Sequence, residues 1–183
     1  MKARGNYIKE VLIHEEQLQT RVKELGAQIT EDYKDLEEDL LLIGILKGAV
    51  VFMADLIKEI EIPVMMDFMS VSSYGKGRTE SSGVVRILKD LDEDIQDKNI
   101  LIVEDIVDSG LTLSYLKDIM LRRGAKSVRI ASLLNKPHRR KNEVKIDYCG
   151  FEVPNMFIVG YGIDYSEKYR NLTYIGALDE SEY

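Results

Sequence analysis

Asn99–Leu113, NILIVEDIVDSGLTL, sets an apolar run against an acidic edge and a polar loop. Apolar residues run from Ile100 to Val103, with Ile106 close behind, as in a buried strand. They run straight into three carboxylates, Glu104, Asp105 and Asp108, and then a loop of Ser, Gly and Thr. From Leu111 onward LTLSYLKDIMLRRGA carries Leu113, Leu116 and Met120 at helical spacing. Arg122 and Arg123 stand near its end and Gly124 is its expected stop. The stretch reads as strand, acidic edge, loop and helix in one run.

The same alternation extends outward in both directions. Upstream, Leu18, Val22, Leu25 and Ile29 make one stripe of an amphipathic helix. Leu40 to Leu46 reads as a buried strand that turns at Lys47 and Gly48 into a helix carrying Phe52, Leu56 and Ile60. Pro63 starts a second strand, VMMDFMSVSS. It is followed by YGKGRTESSG, which has no apolar anchor and reads as an exposed, mobile loop, then by a strand VVRILKD and an acidic turn. Downstream, SVRIASLL is a strand, NKPHRRKN a basic turn, and DYCGFEV and NMFIVGYGID alternate or run apolar. Strands separated by helical segments imply parallel pairing through right-handed crossovers, hence an α/β sheet with helices on both faces.

The length of 183 residues suits one core, so a single domain spanning 1–183 is expected. Hydrophobic residues at 45% and charged residues at 31% exclude a disordered chain. A net charge of -7 argues against a broad nucleic-acid footprint, which needs clustered Lys and Arg. Cys149 is the single cysteine, so no intrachain disulfide forms, and the N-terminal segment lacks the apolar run of a signal peptide. No window approaches the roughly 18 apolar residues of a membrane helix. A soluble, cytoplasmic protein is expected.

In parallel α/β sheets, ligands sit beyond the carboxyl ends of the strands. Glu104, Asp105 and Asp108 lie at that edge. Asp108 to Thr112, DSGLT, enter a helix, so backbone N–H groups and the positive end of the helix dipole can bind a phosphate, with Ser109 and Thr112 adding hydroxyls. Carboxylates beside a phosphate repel it unless a hard cation or ligand hydroxyls intervene. A sugar phosphate with free hydroxyls, together with Mg2+, satisfies both halves. Taken singly, Asp108 or Ser109 could equally be a helix cap and Glu104 and Asp105 solvated turn residues. The GxxxxGK phosphate loop is absent, and so is the GxGxxG of dinucleotide sites.

An apolar strand followed by VEDIVDSGLTL resembles the phosphoribosyl-pyrophosphate signature of the type I phosphoribosyltransferases, specifically their hypoxanthine-guanine members. RVKELGAQIT, LIGILKGAVVFMADL, VSSYG, VRIASLLNKPHRR and VPNMFIVGYGIDYSEKYRNL resemble the same subfamily in the same order, so the likeness covers nearly the whole chain. It implies a type I phosphoribosyltransferase fold: a central, mainly parallel sheet flanked by helices, with a small hood built from about 1–15 and 151–183. It implies transfer of phosphoribosyl from phosphoribosyl pyrophosphate to hypoxanthine or guanine, with Mg2+.

The resemblance also implies roles for residues. Glu104 and Asp105 hold the ribose hydroxyls, partly through the metal, and Asp108 lies near purine N7 as general base. Asp108, Ser109, Gly110, Leu111 and Thr112 cradle the 5-phosphate. Lys47 and Gly48 form the pyrophosphate loop, where the family often has a cis peptide between the equivalents of Leu46 and Lys47. Arg170 also meets pyrophosphate, a task suited to a planar donor fork. Asp164 is a further metal ligand. Lys136 donates to the purine O6 and so separates 6-oxopurines from adenine. Phe157 stacks on the base and Ile158 offers it backbone groups, although a Phe in NMFIVG read alone is more often core. Ser73 and Tyr74 start a lid that excludes water.

A homodimer or homotetramer without membrane or nucleic-acid partners is expected. The competing reading is a regulator of the same fold that senses phosphoribosyl pyrophosphate and binds nucleic acid; its relatives carry Arg where Leu111 stands. His14 and His138 read as surface residues and Cys149 as a small strand residue. Arg139, Arg140 and Lys141 could be a solvated run, with Arg140 aligned to a family arginine near the site.

Overall fold

The computed structural model describes residues 7–74 and 84–179. In chain order the main elements are β1 (Ile8–Ile13), α1 (Glu15–Tyr33), β2 (Leu40–Leu46), α2 (Val50–Leu56), β3 (Val64–Tyr74) and β4 (Val84–Lys89). They continue with β5 (Asn99–Val107), α3 (Leu111–Arg122), β6 (Ser127–Asn135), β7 (Tyr148–Glu152), β8 (Ile158–Val159) and β9 (Ile175–Leu178). Six strands form one sheet in the order β4-β3-β2-β5-β6-β7. All neighbours are parallel except β4, which returns antiparallel on β3 at the edge.

The β2 strand, and β5 from Ile100 to Val103, are continuously apolar because both of their faces are covered. Alternate side chains point to opposite faces. Leu40 and Leu42 of β2, Leu101 and Val103 of β5 and Leu133 of β6 pack with Leu18, Val22, Leu25 and Ile29 of α1 and Phe52, Met53 and Leu56 of α2. Leu41, Ile43 and Ile45, Ile100 and Ile102, and Val128 and Ile130 pack on the other face with Leu113, Leu116 and Met120 of α3. The expected α/β sheet with helices on both faces is the observed one.

A second, three-stranded antiparallel sheet, β1-β9-β8, joins the two ends of the chain, with Ile8 opposite Leu178 and Ile158 opposite Ala177. The β1 strand has no counterpart in the hydrophobic periodicity, because three of its six residues are exposed. The apolar run NMFIVGYGID yields only the two-residue β8. Its chain turns away through positive φ at Gly160, Tyr161 and Gly162, and β7 up to Glu152 still belongs to the large sheet. The loop expected as a lid, 75–83, lies outside the described residues. Ser73 and Tyr74 end β3, paired with Val85 and Val84.

Candidate active site

At the carboxyl edge β5 passes into α3 through Asp108, Ser109 and Gly110. The turn needs glycine: Gly110 has φ 80°, and a Cβ there would meet the Asn142 carbonyl and the Arg140 side chain. The segment behind it holds the loop, since Lys141 and Asn142 both donate backbone N–H to the Ser109 carbonyl at 3.0 Å. The first bond of α3 runs from Ser114 N–H to Gly110 O at 3.0 Å. The amides before it have no partner within the helix and open the positive helix end to the cavity.

The acidic edge and the β2–α2 turn meet directly. A Cβ on Gly48 would overlap the Asp105 carboxylate, so this close approach is available to glycine alone. The Leu46–Lys47 peptide is cis. Asp105 Oδ1 accepts from the Ile106 N–H at 2.8 Å. Burial, and then the neighbouring Asp105 charge, pushes the Glu104 carboxyl well above the usual carboxylate range. Opposite stand the cations. Arg170 lies 2.7 Å from Asp164 Oδ1 and donates to the Gly162 carbonyl at 2.7 Å, and Lys47 Nζ lies 3.0 Å from Glu167 Oε2. Lys47, Gly48, Glu104, Asp105, Asp108, Ser109, Gly110, Thr112, Asp164 and Arg170 all line one cavity of about 300 Å3.

A second cavity of about 340 Å3 adjoins it, sharing Ile106, Asp108 and Asp164 and adding Lys136, Arg139, Phe157 and Ile158 among its walls. Lys136 follows β6, is buried, and donates from Nζ to the Met156 carbonyl at 2.7 Å. Burial pulls its pKa down, the Asp108 charge opposes that, and Arg139 adds to it. Phe157 is 39% exposed, with its ring edge-on to Tyr165 at 5.1 Å between centroids, so it is a wall of this cavity and not core. Ile158 is buried in β8.

Every expected site residue with a described side chain except Leu111 lines one of the two cavities; Leu111 is the first residue of α3, next to them. Arg139, read as part of a solvated run, instead places Nε 3.0 Å from Asp108 Oδ1. Its signal was the spacing from Lys136. Pro137–Arg139 form a 3-10 turn, in which residues three apart share a side. Arg140 lies behind Gly110, with Nη2 on the Asn135 side-chain oxygen, and Nη1 buried without a hydrogen-bond partner. Glu167 had no sequence signal, since it reaches Lys47 across 120 positions. His14 and His138 are exposed. Cys149 is a free, half-buried thiol in β7, its pKa raised by burial.

Glu104, Asp105 and Asp164 offer hard oxygen donors around the first cavity. Among the described residues, no three His, Cys, Asp or Glu side chains close on one point. The donor set suits a cation that keeps waters and shares ligand oxygens, and not an all-protein cage.

A helix N-terminus and an acidic edge that open directly onto a slot with an aromatic wall and a buried cation have the chemistry to take a sugar phosphate beside a flat base. The family model described as a phosphoribosyl transferase domain matches residues 11–166. A hypoxanthine-guanine phosphoribosyltransferase of Bacillus subtilis is 57% identical over 176 residues, covering 96% of each chain. The crystal structure of a hypoxanthine phosphoribosyltransferase from Staphylococcus aureus superposes with a TM-score of 0.92 at 49% identity, over 97% of this chain and 95% of that one. The Trypanosoma cruzi hypoxanthine phosphoribosyltransferase in complex with its product IMP gives 0.91 at 38% identity over 100% of both chains. The chain belongs to the phosphoribosyltransferase family, in its hypoxanthine-guanine branch.

Proposed function

We propose that the protein transfers the 5-phosphoribosyl group of phosphoribosyl pyrophosphate to hypoxanthine or guanine, forming IMP or GMP and pyrophosphate in purine salvage. The observation that carries this reading is the pair of cavities meeting at Ile106, Asp108 and Asp164. One is built for phosphate and hydroxyls, the other for a flat base, and the shared wall is where the sugar carbon and the base nitrogen would meet.

The residues act as follows. The α3 amides with Ser109 and Thr112 take the 5-phosphate, and Glu104 and Asp105 take the ribose hydroxyls. Lys47 and Arg170 hold the pyrophosphate and take up charge as its bond to the sugar carbon breaks, while the purine nitrogen bonds to that carbon from the other side. Asp108 accepts the purine proton: its Oδ1 is buried and has no hydrogen-bond donor in proper alignment, although Arg139 stands beside it. Phe157 stacks on the base and Lys136 exchanges the Met156 carbonyl for the 6-oxo group. A divalent metal, for which Mg2+ fits the donors best, would be held by Glu104, Asp105 and Asp164 and would offset phosphate charge. Ser73 and Tyr74, which end β3, are assigned to the start of the closing lid.

The chain is further read as a cytoplasmic homodimer or homotetramer. Among the described residues no helix is long and apolar enough to cross a membrane. The test is nucleotide formation from phosphoribosyl pyrophosphate and Mg2+ with hypoxanthine, guanine, xanthine, adenine and uracil in parallel. Product from hypoxanthine or guanine and none from adenine or uracil is expected. Metal-dependent binding of the sugar phosphate without product from any base would refute the reading.

A further inference from the structure

Glu167 has no part in the reaction just described, yet it touches both cations assigned to pyrophosphate. Its Oε2 lies 3.0 Å from Lys47 Nζ and 3.6 Å from Arg170 Nη2. Arg170 is otherwise committed to Asp164 and the Gly162 carbonyl, and the Glu167 N–H donates to Asp164 Oδ2 at 2.8 Å. The backbone is set unusually to achieve this. Ser166 and Glu167 stand in succession at φ 50° and 62°, a region that side chains with a Cβ seldom adopt. The carboxylate thus sits between two cations as one oxygen group of a pyrophosphate would, and the hydrogen bond from Lys47, with its charge, keeps the Glu167 pKa below the usual value.

We propose that Glu167 is an internal stand-in for pyrophosphate: its carboxylate competes for Lys47 and Arg170 and must be displaced when a pyrophosphate group arrives. The inference rests on the functional reading above and deepens it. Glu167 is a positioning residue that acts through Lys47, not a catalytic one. It keeps the two side chains turned toward the pyrophosphate corner, weakens capture of phosphoribosyl pyrophosphate, and by returning to its cations hastens departure of the product pyrophosphate. The Lys47 and Glu167 side chains are both 67% exposed, so the effect is modest, about two- to fivefold in affinity.

The probe is inorganic pyrophosphate with Mg2+, titrated calorimetrically into the wild type, Glu167→Gln, Glu167→Asp, Lys47→Gln and the Lys47→Gln/Glu167→Gln double variant. Glu167→Gln is expected to bind about two- to fivefold more tightly at low salt, with the gain shrinking as salt screens the pair. Glu167→Asp keeps the charge and is expected near the wild type. In the Lys47→Gln background the gain is expected to fall, since the carboxylate then has only the more distant Arg170 to leave. In turnover, Glu167→Gln lowers KM for phosphoribosyl pyrophosphate without raising kcat. Equal or weaker binding by Glu167→Gln, or an undiminished gain without Lys47, overturns the proposal while leaving the functional reading intact. No pyrophosphate binding by the wild type overturns both.

Discussion

Lys136→Met separates substrate recognition from stability in a single substitution. Lys136 is 8% exposed, its N–H bonded to the Val107 carbonyl at 2.9 Å and its Nζ to the Met156 carbonyl at 2.7 Å. Methionine is similar in length and flexible enough to fill the same channel, so no large cavity opens. What disappears from the substrate complex is one hydrogen bond from a charged donor to the purine 6-oxo group, worth about 1.5–3 kcal/mol. That is about a 10- to 150-fold loss of kcat/KM on hypoxanthine and guanine. Adenine, whose amino group offers the ammonium nothing, should lose little. Stability should move the other way. Burial lowers the Lys136 pKa, so its contribution to stability is present above the unfolded value and is lost as pH falls through the depressed folded value. Below the unfolded value the variant is relieved of this burial cost, which offsets the loss of the bond to the Met156 carbonyl, so the melting temperature at pH 7 should hold or rise. The assay is initial rates with hypoxanthine and adenine in parallel, beside thermal melts at pH 7. An equal loss on both bases would refute the assignment, as would a fall in melting temperature that tracks the activity.

Asp108→Asn should lower kcat by about 10²–10⁴ while changing the dissociation constant for phosphoribosyl pyrophosphate far less; equal losses in both would reject the base role. Glu104 has a raised carboxyl pKa, so its contribution to stability is present below the unfolded value near 4.5 and lost as pH rises through the folded one. Glu104→Gln should therefore raise the melting temperature of metal-free protein at pH 7 and blunt the rise caused by adding Mg2+ with phosphoribosyl pyrophosphate; a lower melting temperature would count against this. Gly48→Ala drives a Cβ into the Asp105 carboxylate, and overpacking of this kind costs about 1–3 kcal/mol. For a chain of this size that is a fall of about 2–12 °C in melting temperature, accompanied by loss of turnover, and a fully active, equally stable variant would show that the turn yields.

Legibility in the sequence followed the range of the interaction. The alternation of β2, α2, β5, α3 and β6 was readable because burial on both faces leaves continuous apolar runs and each helix its own stripe. The turn from Asp108 to Thr112 was readable because a strand-to-helix loop of this kind is built from consecutive residues. Phe157 was open from local pattern alone. An apolar run such as NMFIVG does not reveal that the strand stops after Val159, where the chain turns through Gly160, Tyr161 and Gly162 and leaves the ring on a cavity wall. The β1 strand leaves no periodic signal because only its last residue, Ile13, is buried, and its partner β9 lies far along the chain.

The parallel α/β sheet, the acidic edge and the turn from Asp108 to Thr112 are legible in the chain itself, since these depend on periodicity and on neighbours in sequence. Which charges face one another is set by folding. It joined Lys47 to Glu167, Arg170 to Asp164 and Arg139 to Asp108, and brought Gly48 against Asp105. No periodicity records such contacts, because a charged side chain at a loop looks the same in sequence whether it faces water or another loop. The folded sheet alone fixes which loops converge at its carboxyl edge.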